Sequence, residues 1–240
     1  MRVASLNSEF LRFIVENGYK PGDQLPTIQE ISQAMNVSVA KTREALEVAR
    51  ALGLLEIKPG RGTRVAPYCF APAATLSALY AIGLDKRNFA HLTRLRDALE
   101  IHFWGEAVDL LTAEDIGKLR GLIAAAVRQL ERQPIQVPAD EHRTFHMTIF
   151  ARLDNPFVQG TLEAFWEAYE AFGLNLYQDL SYHRTVWSYH ERIVDAIEAG
   201  DVEASRRLLV EHMNLLDVRP RPEGDKAFPS SLDQRAWFFE

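Results

Sequence analysis

Residues 25–65 read LPTIQEISQAMNVSVAKTREALEVARALGLLEIKPGRGTRV, and this run decides how the chain begins. Thr27 stands three residues before Glu30, the spacing at which each side chain caps the other's backbone N–H at a helix start. Ile28, Ile31 and Met35 then share one face of a short helix ending near Asn36. Ser38 is the next N-cap; behind it Ala45, Leu46 and Ala49 face inward while Lys41, Thr42, Arg43 and Arg50 are polar. Two short helices joined by the tight Met35-Asn36-Val37 turn make a helix-turn-helix. Residues 54–58 and 63–65 read as short strands around Pro59-Gly60-Arg61-Gly62, whose glycines admit positive φ. Upstream, Leu6, Phe10, Phe13 and Ile14 lie at helical spacing, and Gly18 and Pro21-Gly22 close that segment. The expectation for residues 1–66 is a winged helix-turn-helix.

The second helix of such a unit enters the major groove of DNA and presents its N-terminal residues to base edges. Ser38, Lys41, Thr42 and Arg43 occupy those positions. Arg61, Gly62 and Arg64 on the wing lie near phosphates or the minor groove, and the helix starts at Thr27 and Ser38 offer backbone N–H groups to phosphate oxygens. Charge agrees. The whole chain of 240 residues is net −6, but residues 1–66 carry nine Lys/Arg against seven Asp/Glu, a net +2, which leaves −8 for the rest. A winged helix also serves as a protein-interaction module, with its Lys and Arg simply solvated. Charge sign, wing glycines and the residues opening the second helix together favour DNA.

The same run resembles the DNA-binding domain of GntR-type bacterial transcription regulators. The matching features are Pro21-Gly22, Leu25-Pro26, Val37-Ser38, Arg43-Glu44-Ala45-Leu46, Leu52-Gly53-Leu54 and the Gly60-x-Gly62-x-x-Val65 wing. It departs where the family usually carries Arg, at Ile28 or Gln29 and at Val39, and Lys41 stands where Pro is common.

From Ala74 onward the apolar period is almost continuously helical. Residues 67–73, PYCFAPA, look like a joint, and the linker 67–88 is expected to hold a short helix at 75–83. Further helices are expected at 89–111, 113–131, 138–151, 156–177, 184–199 and 202–216, so the fold class is mainly α with a C-terminal antiparallel bundle of six to seven helices. Residues 89–216 form the expected ligand-binding domain, and 217–240 an irregular tail running over the surface. His142 and His146 are four residues apart on one helix face; His190 lies between Val186 and Ile193, and His212 between Leu208 and Leu215. Four imidazoles on the buried stripes of three helices can converge on a divalent transition metal, zinc or nickel before others. Any one of them, taken alone, reads equally as a hydrogen-bonded core residue. His91, His102 and His183 lack such placement and are expected at the surface or just behind the ligating residues.

These helices resemble the all-helical FCD domain of the GntR family, in its FadR-like, seven-helix branch. The residues that carry the resemblance are His142-Arg-Thr-Phe145-His146, Asn155-Pro156, His190, His212 and Arg96-Asp-Ala-Leu-Glu100. It implies a metal held by an Asp and three His, with His142 standing at the Asp position here. It also implies that Arg96 and Glu100 lie at the effector, although an intrahelical Arg96–Glu100 pair is the plain alternative.

A single thiol, Cys69, excludes an internal disulfide, and no apolar run approaches a membrane span. The first residues do not read as a signal peptide, so a cytoplasmic protein is expected. The joined expectation is a homodimeric repressor that reads a pseudo-palindromic DNA operator and answers to a small organic acid. Two other readings stay open. One is a metal-free sensor of acyl or sugar acids. The other is a metalloenzyme, disfavoured because His142-Arg-Thr-Phe-His146 lacks the glutamate of a metalloprotease helix.

Overall fold

A computed structural model describes residues 5–58, 60, 62–173 and 179–218. The expectations for Arg61, and for the tail beyond residue 218, lie outside the described residues. The chain divides into two compact units, Met1–Leu76 and Ser77–Glu240.

In the first unit α1 (Glu9–Glu16), α2 (Ile28–Ala34) and α3 (Val39–Ala51) precede strands β1 (Leu55–Lys58) and β2 (Gly62–Val65). Thr27 and Glu30 form the expected capping box, and the Ser38 side chain accepts from the Lys41 N–H. The turn between α2 and α3 closes because Asn36 takes φ 52°, a left-handed conformation that Asn tolerates better than most residues. The Ser32 hydroxyl then donates to the Val37 carbonyl at 2.7 Å and pins the exit. Phe10, Ile14, Leu25, Ile31, Leu46, Ala49 and Leu55 bury the unit's core. The wing is an antiparallel pair in which Leu55 faces Val65 and Lys58 faces Gly62. Gly53 has a positive φ, and a Cβ there would come within 2.5 Å of the Pro72 side chain, so only glycine fits.

The second stretch runs α4 (Ala71–Leu84), α5 (Asn88–Asp109), α6 (Ala113–Leu130), α7 (Ala139–Phe150), α8 (Pro156–Ala171), α9 (Leu180–Glu198) and α10 (Val202–Val218). Seven helices are described, with three shifted boundaries. α4 starts inside the expected joint because Pro72 sits in its first turn, where no intrahelical N–H is required. α8 ends early, at the Phe172 C-cap followed by Gly173 with φ 75°. α9 starts at Leu180 instead of 184, because the Asp179 side chain accepts from the Tyr182 N–H and caps it. Thr112 with Asp115, and Asn155 ahead of Pro156, cap α6 and α8 as their sequences indicate.

α10 packs on α9 and α5, α6 on α7 and α9, and α8 on α5 and α7. Between them lie Trp104, Leu119, Phe145, Ile149, Phe150, Leu162, Ile193 and Leu209, all fully buried. The Trp104 indole N–H donates to the Ser205 hydroxyl at 2.8 Å, so that ring is satisfied inside the core. This packing fixes α5, α7, α9 and α10 around one interior point.

Candidate metal centre and nucleic-acid face

α7 carries His142 and His146 on its inward face, α9 brings His190, and α10 brings His212. One ring nitrogen from each of the four lies within 4.8 Å of the others. The Nε2 atoms of His146 and His212 are 3.2 Å apart. Two nitrogens that share a tetrahedral zinc at 2.0–2.1 Å stand roughly 3.3 Å apart, so that pair already has metal-compatible spacing. His190 is 0% exposed, and neither of its ring nitrogens has a hydrogen-bond partner; His142 Nε2 and His212 Nδ1 are likewise buried and unpartnered. Buried polar atoms rarely go unpaired. A shared cation would satisfy all four rings at once, and the residues fit one.

Protonation agrees with that fit. Burial, reinforced by the neighbouring cationic groups, holds His142, His190 and His212 well below the usual 6.5, so each is neutral at pH 7 and offers a lone pair. Burial also lowers His146, against an opposing pull from Glu100.

The sequence left Arg96 with two roles, a place at the effector or an intrahelical pair with Glu100, and the structure shows the pair. Its Nε donates to Glu100 Oε1 at 2.7 Å and its Nη1 to Asp97 Oδ1 at 3.2 Å, while Nη2 lies 3.3 Å from His146 Nδ1. The second oxygen of Glu100 is 3.2 Å from that same Nδ1. Burial pushes the Glu100 carboxyl up, but Arg96 and His146 together outweigh it and hold the group below the usual carboxylate value, ionised at pH 7. An ionised carboxylate on Nδ1 favours the tautomer with its proton there, leaving Nε2 free as a ligand. This corrects the expectation that Glu100 touches an effector: it is enclosed between Arg96 and His146, and it orients the imidazole.

Arg96, His142, Trp166, Tyr169, Tyr182 and His212 line a small pocket beside the cluster. The sequence reading missed Trp166 and Tyr169, since aromatics at helical spacing on α8 read as core. His183, expected at the surface or just behind the ligating residues, is buried and lies close enough to His142 to help lower it; the α9 start at Leu180 brings it inside. His91 and His102 are exposed, as expected.

In the first unit Thr27, Ser38, Lys41, Arg43, Gly62 and Arg64 are exposed. Arg43 forms no ion pair among the described residues, whereas Lys41 Nζ reaches Glu9 at 2.7 Å. Arg64 donates to the Gly22 carbonyl at 2.9 Å and to Gln24 Oε1 at 3.2 Å, bracing the wing against the Pro21-Gly22 turn. Thr42 departs from its expected role. It is 0% exposed and its hydroxyl donates to the Ser38 carbonyl, because position 42 shares the inward face with Leu46 and Ala49. It cannot reach a base edge.

Comparison with known families matches residues 8–65 to the bacterial regulatory proteins of the gntR family, and residues 91–215 to the FCD domain. The chain belongs to the GntR family and carries an FCD domain. It is a transcription regulator, not an enzyme. Among relatives similar to it, the HTH-type transcriptional regulator LutR of Bacillus subtilis is 26% identical over 216 residues, covering 85% of this chain and 95% of LutR. The HTH-type transcriptional repressor NanR of Salmonella newport is 25% identical over 230 residues, covering 92% of this chain and 86% of NanR. The solved structure of Streptococcus agalactiae GntR shares the fold with a TM-score of 0.60 at 18% identity, covering 90% of this chain and 97% of that one. E. coli McbR/YncC does so with a TM-score of 0.51 at 21% identity, covering 89% and 97%. No described helix is long and apolar enough to cross a membrane.

Proposed function

We propose that this GntR/FCD regulator binds a divalent transition metal, zinc or nickel, through His142, His146, His190 and His212, and that a small carboxylate effector joining the metal and Arg96 alters its binding to operator DNA. The observation that carries the reading is the convergence of four neutral imidazoles, with buried unpartnered nitrogens, beside a fixed guanidinium. When bound, the metal supplies a Lewis-acidic anchor for a carboxylate oxygen. Arg96, already oriented by Glu100 and Asp97, supports the ligand's negative charge. A four-nitrogen set with His142 at the aspartate position is neutral, so the metal's charge is left for the ligand to offset; that donor set suits zinc, nickel or copper over manganese.

On the DNA side, Ser38, Lys41 and Arg43 at the start of α3, and the backbone N–H groups behind Thr27, are the proposed contacts, with Gly62 and Arg64 shaping the wing. Two copies on a two-fold axis would read a short pseudo-palindrome. An effector can shift that binding only by favouring one arrangement of the chain over another; we take the outcome to be relief of repression.

Elemental analysis of the purified chain, alongside operator binding with and without small carboxylates, tests the reading. It expects about one metal per chain and weaker DNA binding with at least one acid. A chain that stays metal-free after equilibration with zinc and nickel contradicts it.

A further inference from the structure

We propose that Glu44 is a base-reading residue of α3: its carboxylate accepts a hydrogen bond from a cytosine amino group in the major groove and so fixes a cytosine in the operator. The proposal rests on the reading that α3 enters the groove, and adds which base one of its side chains selects. Thr42 and Leu46 are buried, and Glu44 stands two residues from each, so at 3.6 residues per turn it lies on the opposite side of the helix. Ala40, one turn earlier on that side, is exposed and has only a methyl group to hold the helix away from a base. Glu44 is exposed as well, and no hydrogen bond or ion pair engages it among the described residues.

Other charges along α3 are matched within the protein. Lys41 Nζ reaches Glu9 at 2.7 Å, and Arg50 reaches Glu47 at 2.8 Å. Arg43 is adjacent to Glu44, but neighbours in sequence point about 100° apart round a helix and do not face each other. That leaves one guanidinium, which only donates, and one carboxylate, which only accepts. A carboxylate at this place is repelled by the phosphates of every sequence, and the cost is offset only where a base offers it a hydrogen-bond donor. In the major groove guanine presents two acceptors, thymine an acceptor and a methyl group, and adenine an acceptor beside its amino group. Cytosine alone presents a donor with no acceptor next to it. Cytosine is therefore the base that Glu44 admits. Such a residue raises specificity by lowering affinity for every other sequence.

The full-length chain and its Glu44→Ala and Glu44→Gln variants are each used to enrich bound sequences from a library of random double-stranded DNA. Position 44 is exposed with no described partner, so neither substitution removes a contact that the fold uses. The wild type should enrich a motif containing a cytosine that the Glu44→Ala motif lacks, while the rest of the motif stays. Replacing that cytosine should weaken wild-type binding at least about fivefold by fluorescence anisotropy. Glu44→Ala should bind an unselected random duplex at least about twofold more tightly than wild type, because one repulsion with the phosphates is gone. Glu44→Gln should move the preference to adenine, whose donor and acceptor a carboxamide matches. The proposal is overturned if wild type and Glu44→Ala enrich the same motif, or if Glu44→Ala weakens binding to selected and unselected duplexes alike, as a merely structural position would. A wild type that enriches no motif fails the underlying placement of α3 in the groove, and the proposal with it.

Discussion

The two units use arginine in opposite ways. Arg43 at the start of α3 is exposed and forms no ion pair among the described residues, while Arg96 in α5 is 4% exposed and holds Glu100 and Asp97. A polyanion the size of DNA is met on a surface, where charge is cheap to keep solvated and each contact adds modestly. A small ligand is met in a dry interior, where each polar atom needs a partner and losing one is expensive. Substitutions of like kind should therefore have unequal consequences in the two units.

The largest effect is expected at the histidines. His190→Ala or His212→Ala should drop the metal from about one per chain to a small fraction, by elemental analysis, while the first unit keeps its fold. Next comes Arg96→Ala, which strands the buried Glu100 carboxylate and should cost about 3–5 kcal/mol in chemical denaturation of the helical unit. A double variant with Glu100→Gln should recover part of that loss, since the uncompensated charge is then gone.

Acid should separate the units in a third way. The folded-state values of His142, His190 and His212 lie well below the 6.5 of an exposed imidazole, so the unfolded chain binds more protons as pH falls. For the chelator-stripped protein, the stability these residues contribute is fully present above about pH 6.5 and declines below it. Thermal unfolding followed from pH 7.5 to 5 should show the midpoint of the helical unit falling; a flat profile would place the imidazoles in solvent. Arg43→Ala should then weaken operator binding by about 1–3 kcal/mol, read by fluorescence anisotropy, with no change in metal content. Smallest of all, Lys41→Ala removes an exposed ion pair with Glu9 and should leave the thermal midpoint where it was.

The same contrast explains what the sequence disclosed. Caps and turns are local, so Thr27, Ser38, Thr112 and Asn155 were readable at their own positions, and the wing followed from its glycines. The four histidines were readable because each lay on an apolar stripe of a periodic helix. Thr42 was misread because a β-branched hydroxyl early in a helix looks polar from sequence, yet it satisfies itself on the Ser38 carbonyl and turns inward. The grip of Glu100 on His146 depends on how α5 packs against α7, which no local pattern encodes. Trp166 carried even less signal, since an aromatic among Phe165 and Tyr169 is indistinguishable from core until its N–H is found without an acceptor.

The central claim is that four imidazoles of the FCD domain surround one metal ion. X-ray absorption at the zinc edge of the zinc-loaded chain tests it most directly. The account predicts a first shell dominated by nitrogen at about 2.0–2.1 Å with outer-shell scattering from four imidazole rings. A shell dominated by oxygen without imidazole scattering, or one left unchanged by His190→Ala, would contradict it.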